Sequence, residues 1–391
     1  MNKISLNSLQ VDTILNTHIY LDEKYILLAP DVPFTQELKN RLETWGFTTL
    51  LAGGGEGIED APAGITAKKA ATAQGAVEQS LEEQKREKDT EQFYLGCLNF
   101  LNEVFDRFLL DGVLRLAQIS DKVKEIKDFT REYRQNILTL PDRKIEGVSY
   151  NICHAIKTTF LSLILSEALK MSIHQQLELG VASLFHRIGM TRLPPELYMS
   201  NRVLTPEEKK SLRAYPVLSF RILKAANFPT SICQAVLDHT ERIDGRGYPQ
   251  GLTGDKISVM GKIIAVASSY AASTARRPFR DSRDGHAGIM NIIQLSGTAY
   301  EPLIIKAMIA VLSIYPIGTY VELSDHTVGI VIRTDANNPK SPYIRLIMDA
   351  NGEVFPDFPV LQPGLADSPG ILKTLSPAAR AAAEKIYKDE A

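Results

Sequence analysis

Three histidines lie on predicted helices or at their ends, where their side chains could take part in chemistry. His154 lies among apolar residues at helical spacing, and His186 ends an apolar run that begins at Leu177. His239 follows a third helical pattern and precedes a turn rich in Gly and Pro, through which a helix cannot continue. Imidazole groups bind metals and exchange protons near neutral pH, so these are the first candidate site residues.

The elements that carry these histidines are helical. From about residue 149 to residue 315 the chain is a succession of amphipathic helices with few strand signals, and at both ends of this region the pattern changes. Residues 1–51 predict a small α+β unit, with strands near 25–28 and 47–51. Residues 52–90 predict a linker, partly disordered, because their first half is rich in Gly, Ala, Pro and Thr and poor in apolar side chains.

Residues 91–140 predict a long helix with a seam of apolar residues on one face. The spacing alternates between three and four residues, which is the heptad pattern of a coiled coil. One interpretation is a parallel coiled coil and hence a homodimer. The other is a helix that packs on its own domain, and three heptads do not decide between them. The seam consists of Leu116, Ile119, Val123, Ile126, Thr130, Tyr133 and Ile137.

Beyond Pro316 the period changes from helical to alternating. Residues 316–363 predict a small β appendage with strands at 320–323, 328–332 and 343–348. Residues 364–391 predict a tail that contains a short helix. The predicted fold class is therefore mainly α, with a helical bundle at 141–315 that follows the long helix and lies between a small α+β unit and a small β appendage.

Composition excludes several classes of function. The 391 residues carry a formal net charge of −2 and no long block of Lys and Arg, which argues against nucleic acid as a partner. The sequence has no signal-peptide pattern and no apolar run long enough to span a membrane, so we expect a cytoplasmic protein. Cys97, Cys153 and Cys233 show no paired spacing, which predicts buried free thiols.

The helical region also carries the motifs of a known family. A loop runs from Arg242 to Pro249 and continues through residues 251–254, a later basic motif covers residues 277–280, and residues 204–208 form the turn before a middle helix. With these motifs, residues 149–315 resemble the HD-GYP family, bacterial phosphodiesterases that hydrolyse cyclic di-GMP on a two- or three-metal centre inside a helical bundle. The resemblance implies an HD-type bundle, and the β appendage resembles an extension often attached to it.

The resemblance assigns metal-ligand positions one residue at a time, and three of them are kept. His154 matches the first ligand, His186 matches the His of the His-Asp pair, and His239 matches the first of two successive His ligands. All three side chains are neutral donors when they bind a metal.

The other ligand positions hold residues that the family does not use there. Arg187 and Ser268 stand in place of aspartates, and Tyr215 and Thr240 stand in place of histidines. Met190 stands in place of the lysine that usually follows the His-Asp pair. These vestigial positions predict that no catalytic residue remains in working form.

Charge indicates whether a metal still binds. Two unit charges about 4 Å apart interact by about 4 kcal/mol at an effective dielectric near 20, so a divalent ion beside Arg187 faces roughly twice that repulsion. We therefore expect no metal cofactor and no dinuclear centre. The alternative is one divalent metal on His154, His186 and His239 with a water, in a reduced site from which Arg187 swings away.

Arg187 and the signature loop each have two interpretations. With Arg277 and Arg280, Arg187 could bind a phosphate, or it could form a salt bridge to Glu241 or another acid. The loop residues could serve structure alone, or, by the resemblance, form a docking surface for a partner such as a diguanylate cyclase (GGDEF) domain. The loop residues are Asp244, Gly245, Gly247, Tyr248 and Pro249.

The sequence thus predicts a catalytically inactive HD-GYP-type protein that acts in bacterial cyclic di-GMP signalling. It would work as a scaffold through protein–protein interaction, or as a sensor that binds cyclic di-GMP without cutting it. The alternative is a cyclic di-GMP phosphodiesterase that works on a reduced metal site.

Overall fold

The structure is a computed structural model of the 391-residue chain, which divides into two compact units, Met1–Val77 and Glu78–Ala391. In the N-terminal part it describes residues 2–6, 9, 13–14, 19–20, 26–28, 33–34, 36, 39–40, 42 and 49–52. Beyond that it describes residues 65–140, 145, 147–199, 202–275, 285–335, 338–364 and 368–390.

Short antiparallel strands form the first unit. Four of them make a sheet in the order β1-β6-β3-β4, and β2 pairs with β5. Leu6, Ile19, Phe34, Leu42 and Leu50 are buried and form its core. The strands are β1 (Asn2–Ser5), β2 (Thr13–Ile14), β3 (Ile19–Tyr20), β4 (Ile26–Leu28), β5 (Pro33–Phe34) and β6 (Thr49–Ala52).

Helix α1 (Ile65–Asp111) begins inside the range 52–90 that the sequence predicted as a linker. The linker prediction is therefore replaced by a helix from Ile65 onward. The physical reason is composition, since Ala, Glu, Gln and Lys dominate the first half of α1 and are strong helix formers even where apolar content is low.

The predicted long helix 91–140 is interrupted. Helix α1 ends at Asp111, and Gly112 follows with a φ of +75°, a conformation that glycine adopts readily. The chain then continues as α2 (Leu116–Glu132) and α3 (Arg134–Thr139). The heptad pattern thus belongs to two short helices and not to one continuous rod.

The apolar seam of α2 is buried in the chain's own core. Ile119, Val123 and Ile126 are at most 1% exposed, and α2 packs on helices α4 (Tyr150–Ala168) and α5 (Ile173–Phe185). Of the two interpretations of the seam, the helix packed on its own domain is correct. A coiled coil through these residues is wrong, because the side chains it would use are already covered. The homodimer itself stays a prediction.

Helices α4 to α12 make up most of the bundle, and their ends follow local capping chemistry. Ser172 and Gln175 form a capping box at the start of α5, and Thr205 and Glu208 form another at the turn before α7. The helices after α5 are α6 (Glu196–Met199), α7 (Pro206–Leu212), α8 (Tyr215–Ala225), α9 (Thr230–Asp238), α10 (Val259–Thr274), α11 (Gly285–Gln294) and α12 (Pro302–Leu312). The mainly helical fold class is confirmed.

A five-stranded antiparallel sheet follows the bundle, in the order β10-β9-β8-β7-β11. Its last strand, β11, pairs with β7 and lies past residue 363, the predicted end of the appendage. Helix α13 (Pro377–Glu390) then packs on the sheet through the buried Ala383. The strands are β7 (Tyr320–Leu323), β8 (Val328–Arg333), β9 (Tyr343–Met348), β10 (Val360–Leu361) and β11 (Ile371–Thr374).

Within the part of the chain that the structure describes, no helix is both long enough and apolar enough to cross a lipid bilayer.

Candidate functional site

The three histidines singled out in the sequence lie together in the bundle. His154 lies on α4, His186 follows the last residue of α5, and His239 follows the last residue of α9. The ring centroids of His154 and His186 are 5.4 Å apart, and those of His186 and His239 are 5.0 Å apart. All three side chains are buried, so the cluster lies in the interior and not on a surface.

Backbone carbonyls fix the protonation of two of these rings. Nδ1 of His186 lies 2.7 Å from the carbonyl oxygen of Ser183, and Nδ1 of His239 lies 2.6 Å from that of Val236. A carbonyl oxygen only accepts a hydrogen bond, so in both rings Nδ1 carries the proton. The Nε2 atoms of both rings therefore carry a lone pair.

Two of the replacement residues occupy the Nε2 atoms of their neighbours. The Tyr215 hydroxyl donates to Nε2 of His239 at 2.8 Å, and the Ser268 hydroxyl lies 3.0 Å from Nε2 of His154. Nε2 of His186 is buried and has no hydrogen-bond partner among the described residues. Of the three Nε2 atoms in the cluster, two contact side-chain hydroxyls and that of His186 does not.

Arg187 places a cation beside this cluster. It precedes a 3₁₀ turn, Ile188–Arg192, that lies close to α8 because Gly189 has no side chain: a Cβ there would meet the carbonyl oxygen of Tyr215 at 2.3 Å. The guanidinium carbon is 5.7 Å from the ring centroid of Tyr150 and 5.8 Å from that of Tyr215. Cation–π attraction from both rings stabilises its charge.

Arg187 forms no salt bridge with Glu241, so that pairing is wrong, and a salt bridge to an acid outside the described residues stays a prediction. The Glu241 carboxylate instead accepts hydrogen bonds from the backbone N–H groups of Gln250, Gly251 and Leu252, at 2.6, 3.1 and 3.1 Å. In the described part of the chain no carboxylate lies within 4 Å of the Arg187 guanidinium. Its Nε atom is buried and has no acceptor among those residues.

Burial sets the protonation of the cluster. Loss of water holds the pKa of His186 well below its ordinary value, and the neighbouring His239 and Arg187 lower it further. Burial also lowers the pKa of His239 to about 4. The same loss of water raises the pKa of the Tyr215 hydroxyl, so that group stays a neutral donor. Near neutral pH both histidines are therefore uncharged.

The signature loop lies directly after the His239 end of α9 and is held by internal hydrogen bonds. Thr240 donates from its hydroxyl to the backbone carbonyl of Tyr248 at 2.6 Å. Asp244 pairs with Arg242 at 2.8 Å and also accepts from the backbone N–H of Arg246 at 3.0 Å. Asp244 therefore stabilises the loop from outside the histidine cluster, and the Arg242 contact holds its pKa low, at about 2.

Sequence reasoning missed one acidic residue near the site. Asp238 is 1% exposed, accepts from the Gln234 amide at 2.7 Å, and accepts from the backbone N–H of Ser258 at 2.9 Å. It thereby joins the end of α9 to the start of α10. The signal was present in the sequence, since an acid directly before a buried His at a helix end has to be hydrogen-bonded.

The structure brings together most of the predicted site residues. The rings of His186 and Tyr215 lie against His239, and His154 lies against His186. Ser268 contacts His154, and Arg187 lies beside Tyr215. Thr240 instead donates from its hydroxyl to the signature loop. Arg277 and Arg280 lie outside the described residues, so their predicted phosphate contacts stay a prediction. Among the described residues, no group of three or more His, Cys, Asp or Glu side chains is arranged to hold a metal ion.

The helical region is similar to proteins of a known family. Residues 134–303 match the family described as "HD domain". Cyclic di-GMP phosphodiesterase PdeB of Borreliella burgdorferi is 32% identical over 208 residues, which cover 53% of this chain and 55% of that protein. A cyclic di-GMP phosphodiesterase of Thermotoga maritima is 34% identical over 158 residues, 40% of this chain and 43% of that one. The chain thus spans about half the length of these curated relatives.

Among solved structures, an HDG"Y"P protein from Bdellovibrio bacteriovorus aligns with a TM-score of 0.48 at 14% identity, covering 78% of this chain and 97% of that one. The family match over residues 134–303 shows that the helical bundle described above contains an HD domain. The signature loop and the relatives named as cyclic di-GMP phosphodiesterases support an assignment of this helical region to the HD-GYP family.

Proposed function

We propose that this chain is an HD-GYP-type signalling or scaffold protein of cyclic di-GMP pathways that does not hydrolyse the dinucleotide. One observation carries the proposal: the residues that replace metal ligands are engaged in contacts of their own. Tyr215 and Ser268 bond to the Nε2 atoms of His239 and His154, and Thr240 bonds to the loop. Arg187 lies between two tyrosine rings.

The donors in the cluster do not fit the metal centre of the family. A metal would need the Nε2 lone pairs, and two of the three Nε2 atoms already form hydrogen bonds with hydroxyl groups. It would also need anionic ligands, whereas the position beside His186 holds a permanently charged guanidinium. At about 4 Å and an effective dielectric near 20, that charge would repel a divalent ion by roughly 8 kcal/mol.

The role that remains is binding. The signature loop is held by the Glu241 carboxylate and by the Arg242–Asp244 pair, so its shape does not depend on a metal. Such a loop suits a partner protein, and a diguanylate cyclase domain is the partner that the resemblance implies. Binding of cyclic di-GMP without cleavage is the other form of the same function.

A second candidate function is a cyclic di-GMP phosphodiesterase with a single metal. Its support is the open Nε2 of His186 and the relatives that are named cyclic di-GMP phosphodiesterases. Movement of the whole Tyr215 and Ser268 side chains away from the rings would free the other two nitrogens. The position of Arg187 argues against it.

The test is metal content combined with turnover. Protein purified without chelator should hold no stoichiometric Zn, Mn or Fe by elemental analysis, and cyclic di-GMP should stay intact over hours with added Mn²⁺. A variant with Arg187→Asp, Tyr215→His, Thr240→His and Ser268→Asp should gain metal and hydrolysis. Arg213→Asp, a charge change outside the cluster, should gain neither. Hydrolysis by the unmodified chain that stops with chelator would overturn the proposal in favour of the second candidate.

A further inference from the structure

A cleft of about 620 Å³ opens beside the histidine cluster. Its walls come from the end of α1, the start of α4 and described residues between Arg187 and Leu212, among them Met190, Leu197 and Arg202. We propose that this cleft binds an amphipathic anion, a molecule with one carboxylate or phosphate group on an apolar body. The inference goes beyond the proposed function, because it requires neither a cyclic dinucleotide nor the loss of hydrolysis.

The anionic group of the ligand is assigned to Arg187. This residue lines the cleft, and its Nε–H group is buried without an acceptor among the described residues. An unsatisfied buried donor on a charged group is costly, and a planar guanidinium matches a carboxylate or a phosphate oxygen pair. The side chain of Asn151 lines the same cleft, and its Oδ1 atom is also buried without a described partner, so two polar atoms in the wall of the cleft lack a hydrogen bond.

The apolar body is assigned to the walls and the rim. Phe105, Met190 and Leu197 lie in the walls, and Leu109 at the mouth is 55% exposed. Val203, between two residues that line the cleft, is 86% exposed. Exposed apolar side chains that surround a cleft mark a surface that binds an apolar group.

Charge selects an anion with one charged group. The other arginine of the wall, Arg202, already forms a two-point contact with Glu208, of which one hydrogen bond measures 2.7 Å. The one acid of the wall, Asp106, is exposed and accepts from Asn102 at 3.1 Å. Among the described lining residues, Arg187 is therefore the one charged group without a charged or hydrogen-bonding side-chain partner. A ligand with two phosphates would leave one of them unmatched.

Isothermal titration calorimetry of the full chain tests the proposal with decanoate and decyl phosphate, below their micelle concentrations. We expect at least one of them to bind with one site per chain, and the stronger of the two identifies the headgroup. Decanol lacks the charge, butyrate lacks the tail, and decyltrimethylammonium reverses the charge, so each should bind at least about tenfold more weakly. The factor of ten corresponds to one charged hydrogen bond.

Two pairs of variants separate this site from general detergent binding. Arg187→Gln should weaken the alkyl anion about tenfold or more, whereas Arg192→Gln, outside the cleft, should leave affinity within twofold. Leu109→Asp at the mouth should weaken it, and Leu303→Asp, an exposed leucine elsewhere, should not. Equal affinity for decanol, no effect of Arg187→Gln, or no heat with either alkyl anion would each overturn the proposal. None of these results bears on metal content or turnover.

Discussion

The Tyr215 hydroxyl donates a hydrogen bond to Nε2 of His239 at 2.8 Å, although the two residues belong to different helices or their ends. Both side chains are buried, and the carbonyl of Val236 holds the proton of the ring on Nδ1. The bond therefore has one direction, and the ring nitrogen has no other described partner. Removal of the hydroxyl leaves a buried acceptor unsatisfied.

Tyr215→Phe should lower the free energy of unfolding by about 1 to 3 kcal/mol, the cost of a buried acceptor that has lost its donor. The ring and its contact with Arg187 remain. Urea denaturation measures the change. Tyr198→Phe is the matched control, because the described structure gives that hydroxyl no hydrogen bond, and it should change stability by no more than about 0.5 kcal/mol. Equal effects of the two variants would contradict the prediction.

The stability of the fold should fall as the pH decreases from 6.5 towards 4. The pKa of His239 is 6.5 when unfolded and about 4 when folded, so between these values the unfolded chain binds more protons. The contribution of this pKa difference to the free energy of unfolding is complete above pH 6.5 and amounts to about 3 kcal/mol. The lowered pKa of His186 acts in the same direction.

Urea midpoints measured between pH 4 and 8 test this pH dependence. His239→Gln should reduce the slope of stability against pH, because one titrating group is removed. His174→Gln, which changes a ring that is 82% exposed, is the matched control substitution. A slope that is the same in all three proteins would exclude His239 as its source.

Glu241→Gln should loosen the signature loop. A carboxylate accepts from the backbone N–H groups of residues 250, 251 and 252, whereas an amide brings an NH₂ group towards at least one of them. We expect a loss of about 2 to 3 kcal/mol in local stability. Amide hydrogen exchange at residues 250–252 measures it, with the exposed Glu207→Gln as control. Unchanged protection in Glu241→Gln would contradict the assigned role.

Gly180 and Val123 should be energetically coupled. A Cβ on Gly180 would lie 2.4 Å from Cγ1 of Val123, so Gly180→Ala forces α2 and α5 apart and should cost about 1 to 3 kcal/mol. Val123→Ala makes room, and the double variant should be more stable than the sum of the single changes predicts, by about 1 kcal/mol. Urea denaturation of all four proteins measures the coupling. Strict additivity would show that the helices do not meet as described.

Local patterns made much of the fold predictable. The turn before α7 could be predicted because its own residues cap the helix: Thr205 and Glu208 form a capping box, and Pro206 is the first helical residue. The strands at 320–323 and 343–348 were readable because each has a polar residue, Glu322 or Arg345, between two buried apolar residues. The signature loop was identified from its residues, and its position directly after His239 followed from the chain.

Other features depend on partners that are distant in sequence. The seam of α2 has the same period whether it faces a second chain or the chain's own α5. Its spacing therefore could not distinguish a coiled coil from packing within the chain. The bond between His154 and Ser268 joins residues 114 positions apart. The replacement residues could be found by resemblance, but their contacts with the remaining histidines could not.

The anchoring of Gln250, Gly251 and Leu252 by one carboxylate has a consequence for association. A segment whose backbone is already fixed loses little conformational entropy when a second molecule closes over it. A protein that docks on this loop would therefore meet a shape that exists before the encounter. Discrimination among candidate partners would then depend on steric fit and on the charges of Arg242 and Arg246, with little induced folding.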